Sequence, residues 1–306
     1  MIKAVFSIIV LIMAFVMPVA GQSASFLSFP TDARMAGLGN AGYVLASPLA
    51  TQHNMAAIMT DDASTNAVAA TYLNWQPETV SSNLFRAGGY AKVGRVGFSA
   101  GFDKQGLSAI QLTDNQGNAI GSFKPMEYSM GLGIGYTISQ PLTAGVALRY
   151  VQSTMGENNK ANAFAADVSL LYSRDKLKAG LGITNIGTKL NYGYADYSLP
   201  TRMQAGAAYS VLNTDLHSLV GVADLAYQLS PGFEGLIGGV GVEYGYKQLL
   251  FLRGGTHFET KSIGSSYSTV GLGVHLWQFS LDVAHLFALG QDSGRQAFVA
   301  SLSWMY

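Results

Sequence analysis

The sequence contains no cysteine, which removes disulfides, thiolate nucleophiles, cysteine-based zinc sites and a lipidated N-terminal cysteine together. It is also poor in charge. Its 18 Lys plus Arg and 18 Asp plus Glu amount to 12% of 306 residues, roughly half the ~25% usual for a soluble domain. The two signs cancel and form no basic cluster, so a polyanion has nothing to bind and nucleic acid is excluded as a partner. After the first 20 residues no continuous apolar run reaches the ~18 positions a membrane helix needs. A bundle of membrane helices is therefore excluded for that part of the chain.

What is present is glycine, 36 residues, together with 16 Tyr and 15 Phe, and the order in which they fall is informative. The first residues read as a cleaved secretory signal over 1–21: Lys3 is a short positive region, Ala4 to Met17 is apolar, and Pro18-Val19-Ala20-Gly21 places small residues before Gln22. Beyond residue 66 the pattern has period two. Tyr128, Met130, Leu132, Ile134, Tyr136 and Ile138 alternate with Ser129, Gly131, Gly133, Gly135 and Thr137, and a strand puts two such sets on opposite faces. The same alternation marks Leu142 to Tyr150, Phe164 to Tyr172 and Phe298 to Tyr306.

The spacing predicts strands near 67–75, 83–93, 95–103, 127–139, 142–154, 161–174, 176–186, 200–212, 217–229, 233–247, 249–259, 265–277, 279–289 and 295–306. Many are long enough to cross a bilayer at a tilt. Links after even strands are short (Gly94, Gln140-Pro141, Asp175, Gln248, Gln278), whereas those after odd strands are generally longer (Lys104 to Met126, Met155 to Lys160, Gly187 to Leu199, Thr260 to Gly264). That parity belongs to an outer-membrane barrel, with turns on one rim and loops on the other. The expected architecture is an all-β, transmembrane, antiparallel β-barrel of about 14 strands over 67–306, with residues 22–66 as a plug-like segment inside it.

With the apolar parity facing lipid, Arg86, Arg95, Glu127, Arg149, Asp167, Arg202, Asp224, Glu243, Arg253, His257, His275 and Asp282 face the lumen. Charges held away from water are expected to pair across strands; a polar conduit is the alternative. Chemistry is otherwise sparse. His53, His217, His257, His275 and His285 have no metal-ligand spacing. Gly131 to Gly135 lies within a strand and opens no helix, so it reads as barrel packing rather than a dinucleotide loop. No nucleophile with an identifiable base emerges, so no catalytic, cofactor-binding or metal residue is expected and the chain reads as a non-enzyme.

Several stretches resemble the PorV/PorQ family of Bacteroidota outer-membrane proteins, relatives of the FadL-type barrels. They are Phe26-Leu27 followed by Pro30-Thr31-Asp32-Ala33-Arg34-Met35-Ala36-Gly37-Leu38-Gly39-Asn40-Ala41-Gly42, then Gln52-His53-Asn54-Met55-Ala56-Ala57, a form of the family's Trp-Asn-Pro-Ala element without its Trp and Pro. Thr113 to Glu127, Val146 to Tyr150, Phe164 to Val168, and Asn185 to Leu190 with Leu199-Pro200 follow in the family's order. The 113–127 loop leans to PorV. The resemblance implies an outer-membrane location and a role in type IX secretion. There such proteins take cargo bearing a C-terminal secretion domain from an SprA-like translocon to a PorU-like attachment complex, without cofactor. Cargo contacts are then expected on the outer loops, at Phe123 and Pro125 and at Tyr192, Tyr194 and Tyr197 on an exposed rim; an interfacial aromatic girdle is the alternative for the tyrosines. The competing function is a FadL-like transporter or porin for small hydrophobic solutes.

Overall fold

Alternation along the chain resolves into fourteen barrel strands: β1 (Asn66–Gln76), β2 (Ser82–Val93), β3 (Val96–Leu107), β4 (Met126–Ser139), β5 (Leu142–Gly156), β6 (Asn159–Arg174), β7 (Leu177–Gly187), β8 (Arg202–Asn213), β9 (His217–Gln228), β10 (Gly235–Tyr246), β11 (Leu250–Glu259), β12 (Tyr267–Leu276), β13 (Phe279–Ala288) and β14 (Gln296–Met305). Each is antiparallel to its neighbours, and β14 pairs with β1 from Ala67↔Met305 to Gln76↔Gln296, closing the sheet. Closure leaves no unpaired edge, which is the condition for sheet backbone in lipid. The computed structural model describes residues 24–60, 64–76, 82–114, 116–156, 159–193, 195–289 and 296–306. The expected signal segment and Tyr194 lie outside them.

Parity decides the faces. In β4, Leu132 is 70% exposed and Met130 and Ile134 flank it, while Ser129, Gly131, Gly133 and Gly135 point inward. The outward set makes an apolar belt with aromatics at its ends: Tyr128, Tyr150 and Phe164 are linked at one rim (ring centroids 6.4 and 5.5 Å), and Trp304 and Tyr306 stack at 6.0 Å at the other. Two such girdles are the mark of a barrel in a bilayer.

The rims differ as expected. On one, strands join through two or three residues, and Gly94, Asp175, Lys247, Gln248 and Trp277 take the positive φ that tight turns require. Arg95, expected in the lumen, lies in one of these turns and is exposed. The other rim carries the longer links. The 108–125 link contains a hairpin of Ile110–Thr113 against Ala119–Phe123, and 188–201 contains a short pairing of Leu190–Asn191 with Asp196–Tyr197. The expected Met155–Lys160 loop is a correction: β5 runs to Gly156 and β6 starts at Asn159, since ladder pairing persists through Thr154↔Lys160 to Gly156↔Asn159.

The lumen is filled. A segment from Ala24 to Thr60 runs through it from the long-loop end to the short-turn end, with single turns at Ser25–Ser28 and Ala50–Gln52 and two short helices, α1 (Ala33–Gly37) and α2 (Met55–Ile58). Phe26 and Leu27 pack with Leu73, Leu84, Leu286 and Val299 near the long loops. Met35, Leu38 and Val44 meet Leu171 and Val222 at mid-height, and Met55 and Ile58 meet Ala67, Tyr90 and Ala147 near the short turns.

Candidate functional site

The plug is held by polar groups that the inward parity supplies, so the lumen wall and the plug form one site. Arg86 of β2, 2% exposed, donates to Phe26 O at 2.8 Å and Pro30 O at 2.7 Å, and its Nε lies 3.3 Å from Asp103 Oδ1 on β3. Asp32 caps α1 by accepting from Met35 N at 2.9 Å, and Ser47 Oγ donates to its other oxygen at 2.6 Å. Asp224 of β9 accepts from both Gly42 N and Tyr43 N at 2.8 Å. Asn54 caps α2 and donates to Tyr43 O at 2.8 Å. Thr269 of β12 both accepts from Gly39 N (3.0 Å) and donates to Gly37 O (2.9 Å).

A charge chain crosses the wall. Arg34 of the plug grips Glu243 of β10 with two hydrogen bonds (2.9 and 2.7 Å), and Glu243 accepts from Arg253 Nε of β11 at 2.6 Å. Arg253 Nη1 then reaches Asp282 on β13 at 2.6 Å. Arg149 of β5 pairs with both oxygens of Asp167 on β6 at 2.6 Å and donates to Asn185 Oδ1 at 2.7 Å. The expected cross-strand pairing thus covers Arg149, Asp167, Glu243 and Arg253, while Asp224 is satisfied by plug backbone instead. Among the described residues Arg202 has no ion pair, and its Nε has no hydrogen-bond partner.

Asn185 went unnoticed as a single residue in the sequence. It takes a positive φ of 58° beside a register shift between β6 and β7, a conformation that Asn tolerates better than most residues. From there its amide donates to Pro200 O at 3.0 Å and its carbonyl accepts from Thr201 Oγ1 at 2.7 Å, so it ties the end of the 188–201 loop to Arg149.

The inward glycines are the mould for the plug. A Cβ on Gly135 would stand 2.6 Å from Met55 O, and one on Gly239 2.6 Å from Gly39 O. The Gly131–Gly135 run therefore packs against residues of the plug. Burial pushes the Tyr43 phenol up from its ordinary range, and it pushes His53 down, with nearby Asp32 only partly opposing. His53 Nε2 faces two carbonyls, Gly42 O and Leu45 O, both at 3.1 Å, which assigns the ring proton to that nitrogen in the neutral form.

The loop residues separate. Phe123 is half-buried at the end of the hairpin, and Pro125 is buried. Tyr192 is a correction: it is 9% exposed, faces inward within the upper core and donates from its hydroxyl to Ser153 Oγ at 2.7 Å. Tyr197 packs edge-on against it with ring centroids at 5.5 Å and stays half-buried. An aromatic pair above the packed lumen gains more from burial than from an exposed rim.

A nucleophile-like spacing is nevertheless present in the chain. Gly97-Phe98-Ser99-Ala100-Gly101 has the Gly-x-Ser-x-Gly spacing of a nucleophile elbow. It lies inside continuous β3 rather than at a strand-to-helix turn, and buried Ser99 donates from Oγ to Gly89 O at 2.8 Å. Among the described residues no group of three His, Asp or Glu side chains is placed to hold a metal ion.

Two cavities of about 60 and 220 Å³ lie between plug and wall, and both reach Phe29, Asn40, Arg202, Ile237 and His257.

Comparison with known proteins bears on both fold and role. A family model described as "Type IX secretion system protein PorV" matches residues 18–232. No curated protein matches the sequence. Among solved structures, the toluene transporter TbuX of Ralstonia pickettii is 14% identical, with 90% of this chain and 98% of that chain covered at a TM-score of 0.67. The toluene transporter TodX of Pseudomonas putida is 12% identical, with 91% and 98% covered at 0.64, and a Pseudomonas aeruginosa FadL homologue is 12% identical, with 90% and 98% covered at 0.56. At such identities these structures establish a shared FadL-like barrel fold.

Proposed function

The chain belongs to the PorV family of type IX secretion system proteins, and from that membership we propose that it is a non-enzymatic outer-membrane component that binds secreted cargo at its long-loop rim and passes it on for surface attachment. The observation that carries the reading is the filled lumen. The plug is fastened to β2, β9, β10 and β12 through Arg86, Asp224, Glu243 and Thr269, and the spaces left beside it are far too small for a polypeptide. A barrel closed in this way acts on protein cargo from its rim. The hairpin of the 108–125 link, with Phe123 at its base, and the 188–201 loop at Tyr197 are the surfaces offered, with an SprA-like translocon and a PorU-like complex as donor and acceptor.

Affinity purification from detergent-solubilised outer membranes, followed by identification of co-purifying proteins, tests this. Recovery of cargo with a C-terminal secretion domain together with translocon or attachment components supports it. Normal surface display of all such cargo in a strain lacking the gene overturns it.

The fold shared with toluene transporters favours a second reading, passage of small hydrophobic solutes. Uptake of a monoaromatic hydrocarbon by proteoliposomes holding the purified barrel decides between the two; a rate no higher than that of protein-free liposomes removes the transporter.

A further inference from the structure

The outer, lipid-facing side of β3 to β6 changes character at its long-loop end. Lys104, Tyr128, Gln152 and Asn162 stand side by side in register across the four strands, and Lys160 lies one step nearer the loops, opposite Thr154. All five take the outward parity, and Lys104, Asn162 and Lys160 are exposed. Asp103 and Glu127, which adjoin Lys104 and Tyr128 in the chain, point into the lumen and are 1% and 3% exposed. Among the described residues no Asp or Glu shares this outward face; Glu157, in the β5–β6 turn, lies outside them.

Hydrogen bonding within the row fixes what it can offer. Tyr128 donates its hydroxyl proton to Gln152 Oε1. Tyr150, two residues below Gln152 on β5, donates to Asn162 Oδ1 at 2.7 Å and lies 3.3 Å from Gln152 Oε1. Both amide oxygens are thereby taken, while neither amide nitrogen and neither lysine has a partner among the described residues. Amide N–H and ammonium groups only donate. Snorkelling lysines alone would mark any membrane interface, but here two amides with their acceptors tied off present N–H groups between two cations. An oxyanion with several acceptor atoms is the complement of such a row.

Towards the bilayer centre the same wall is hollowed. β2 and β3 turn Ala87, Gly89 and Ala100 outward between the larger Val68, Phe98 and Leu132, and a groove of about 1340 Å³ runs from these small residues up to Tyr150 and Phe164. Apart from the Tyr150 hydroxyl, the side chains that face outward along it are apolar. Hydrocarbon suits the groove and an anionic head suits the row above it. Joined in one molecule, the two are a lipid.

We propose that the outer face of β3 to β6 is a binding site for a phosphate-bearing lipid of the outer leaflet, whose phosphate oxygens accept from Lys104, Lys160 and the Gln152 and Asn162 amides while its acyl chains lie in the groove below. β3 and β6 are three strand spacings apart, about 14 Å, so the flexible lysine stems close on the head from opposite sides. A phosphate is the multi-acceptor anion that membrane lipids carry, and clustered basic side chains at the membrane surface are the usual means of holding it.

Native mass spectrometry of the full-length protein, released from a non-ionic detergent, tests the site with dioleoyl phosphatidate and dioleoylglycerol, which share their acyl chains and differ in the phosphate. Each lysine near an anionic headgroup contributes roughly fivefold, so phosphatidate should be retained over dioleoylglycerol by roughly twentyfold or more. Lys104→Gln with Lys160→Gln should bring that preference close to unity. Arg174→Gln with Lys176→Gln, which removes the same charge from exposed positions at the short-turn rim, should leave it intact. Inorganic phosphate should not displace the lipid. The comparison of the two lipids on the unaltered protein needs no variant to fold. Equal retention of the two lipids, the same loss of preference in both double variants, or displacement by inorganic phosphate overturns the proposal.

Discussion

Arg253 of β11 and Asp282 of β13 form a 2.6 Å ion pair across an intervening strand. They meet because β12 offers them glycine: a Cβ on Gly273 would stand 2.9 Å from Arg253 Nη1 and would also collide with Asp282 Oδ1, and Gly271 borders the Arg253 side chain. Gly273→Leu should therefore break the pair without touching either charged residue. Heat-dependent mobility on a denaturing gel, which reports barrel unfolding, should shift to lower temperature. An unshifted transition would mean that the pair contributes nothing.

Glu243 serves Arg34 of the plug and Arg253 of the wall together. Replacing it by Gln leaves two guanidinium groups short of their carboxylate, a change expected to cost about 3–5 kcal/mol for a buried pair. Chemical denaturation in detergent should show the loss, whereas Glu234→Gln, at an exposed position of the 229–234 loop, should stay within about 0.5 kcal/mol of the parent.

Arg86 holds the first turn of the plug through the carbonyls of Phe26 and Pro30. Arg86→Met keeps much of the volume and removes the donors. Hydrogen exchange should accelerate across 24–32 while the strand amides of β4 to β6 keep their protection. Equal exchange in both regions would show that the arginine anchors nothing.

His53 should give the plug a pH dependence. Burial lowers its pKa in the folded state, with Asp32 only partly opposing, so the unfolded chain binds the proton more readily. The stabilisation is complete above the unfolded value of ~6.5 and declines as pH falls through it. Plug amides followed by hydrogen exchange should lose protection between pH 7.5 and 5.5, and His53→Gln should flatten that dependence.

The two aromatics of the 188–201 loop should part company on substitution. Tyr192→Ala opens a gap in the upper core and removes the partner of Ser153, with an expected loss of about 3–5 kcal/mol. Tyr197→Asp, together with Phe123→Asp on the 108–125 hairpin, should lower the barrel's unfolding temperature far less than Tyr192→Ala does and should lower cargo recovery in a pull-down. Unchanged recovery with both substitutions would remove these positions from the cargo surface.

The barrel was legible because the constraint that shapes it is local: lipid on one side and packed polar atoms on the other impose period two on every strand, as the β4 residues Met130, Leu132 and Ile134 against Gly131, Gly133 and Gly135 make plain. The lumen charges were legible as a set for the same reason. Their partners were not, since Arg253 and Asp282 are 29 positions apart and meet only through the absence of a side chain on β12. Tyr192 misled because an aromatic in a rim loop reads as a contact or girdle residue, and nothing in the spacing shows it turning inward onto Ser153. The turn-like Arg95 shared the parity of its lumen neighbours and was separated from them only by where the strand stopped. Asn185 fell inside an expected strand, and its role rests on a backbone conformation that no residue spacing announces.

The plug precedes every strand in the chain, yet its anchors come from β2, β9, β10, β12 and β14, with Ala33 N reaching Ser301 Oγ across 268 positions. Synthesis therefore delivers the guest long before the host. Until β9 and β10 arrive, the backbone of Gly42 and Tyr43 and then Arg34 have no carboxylate to meet, and until β14 arrives β1 has no partner on its open edge. Contacts of such separation are slow to form, so the unfinished protein spends its maturation with apolar strands and an unpaired edge open to neighbours. The position of the seam thus sets how long those surfaces stay open.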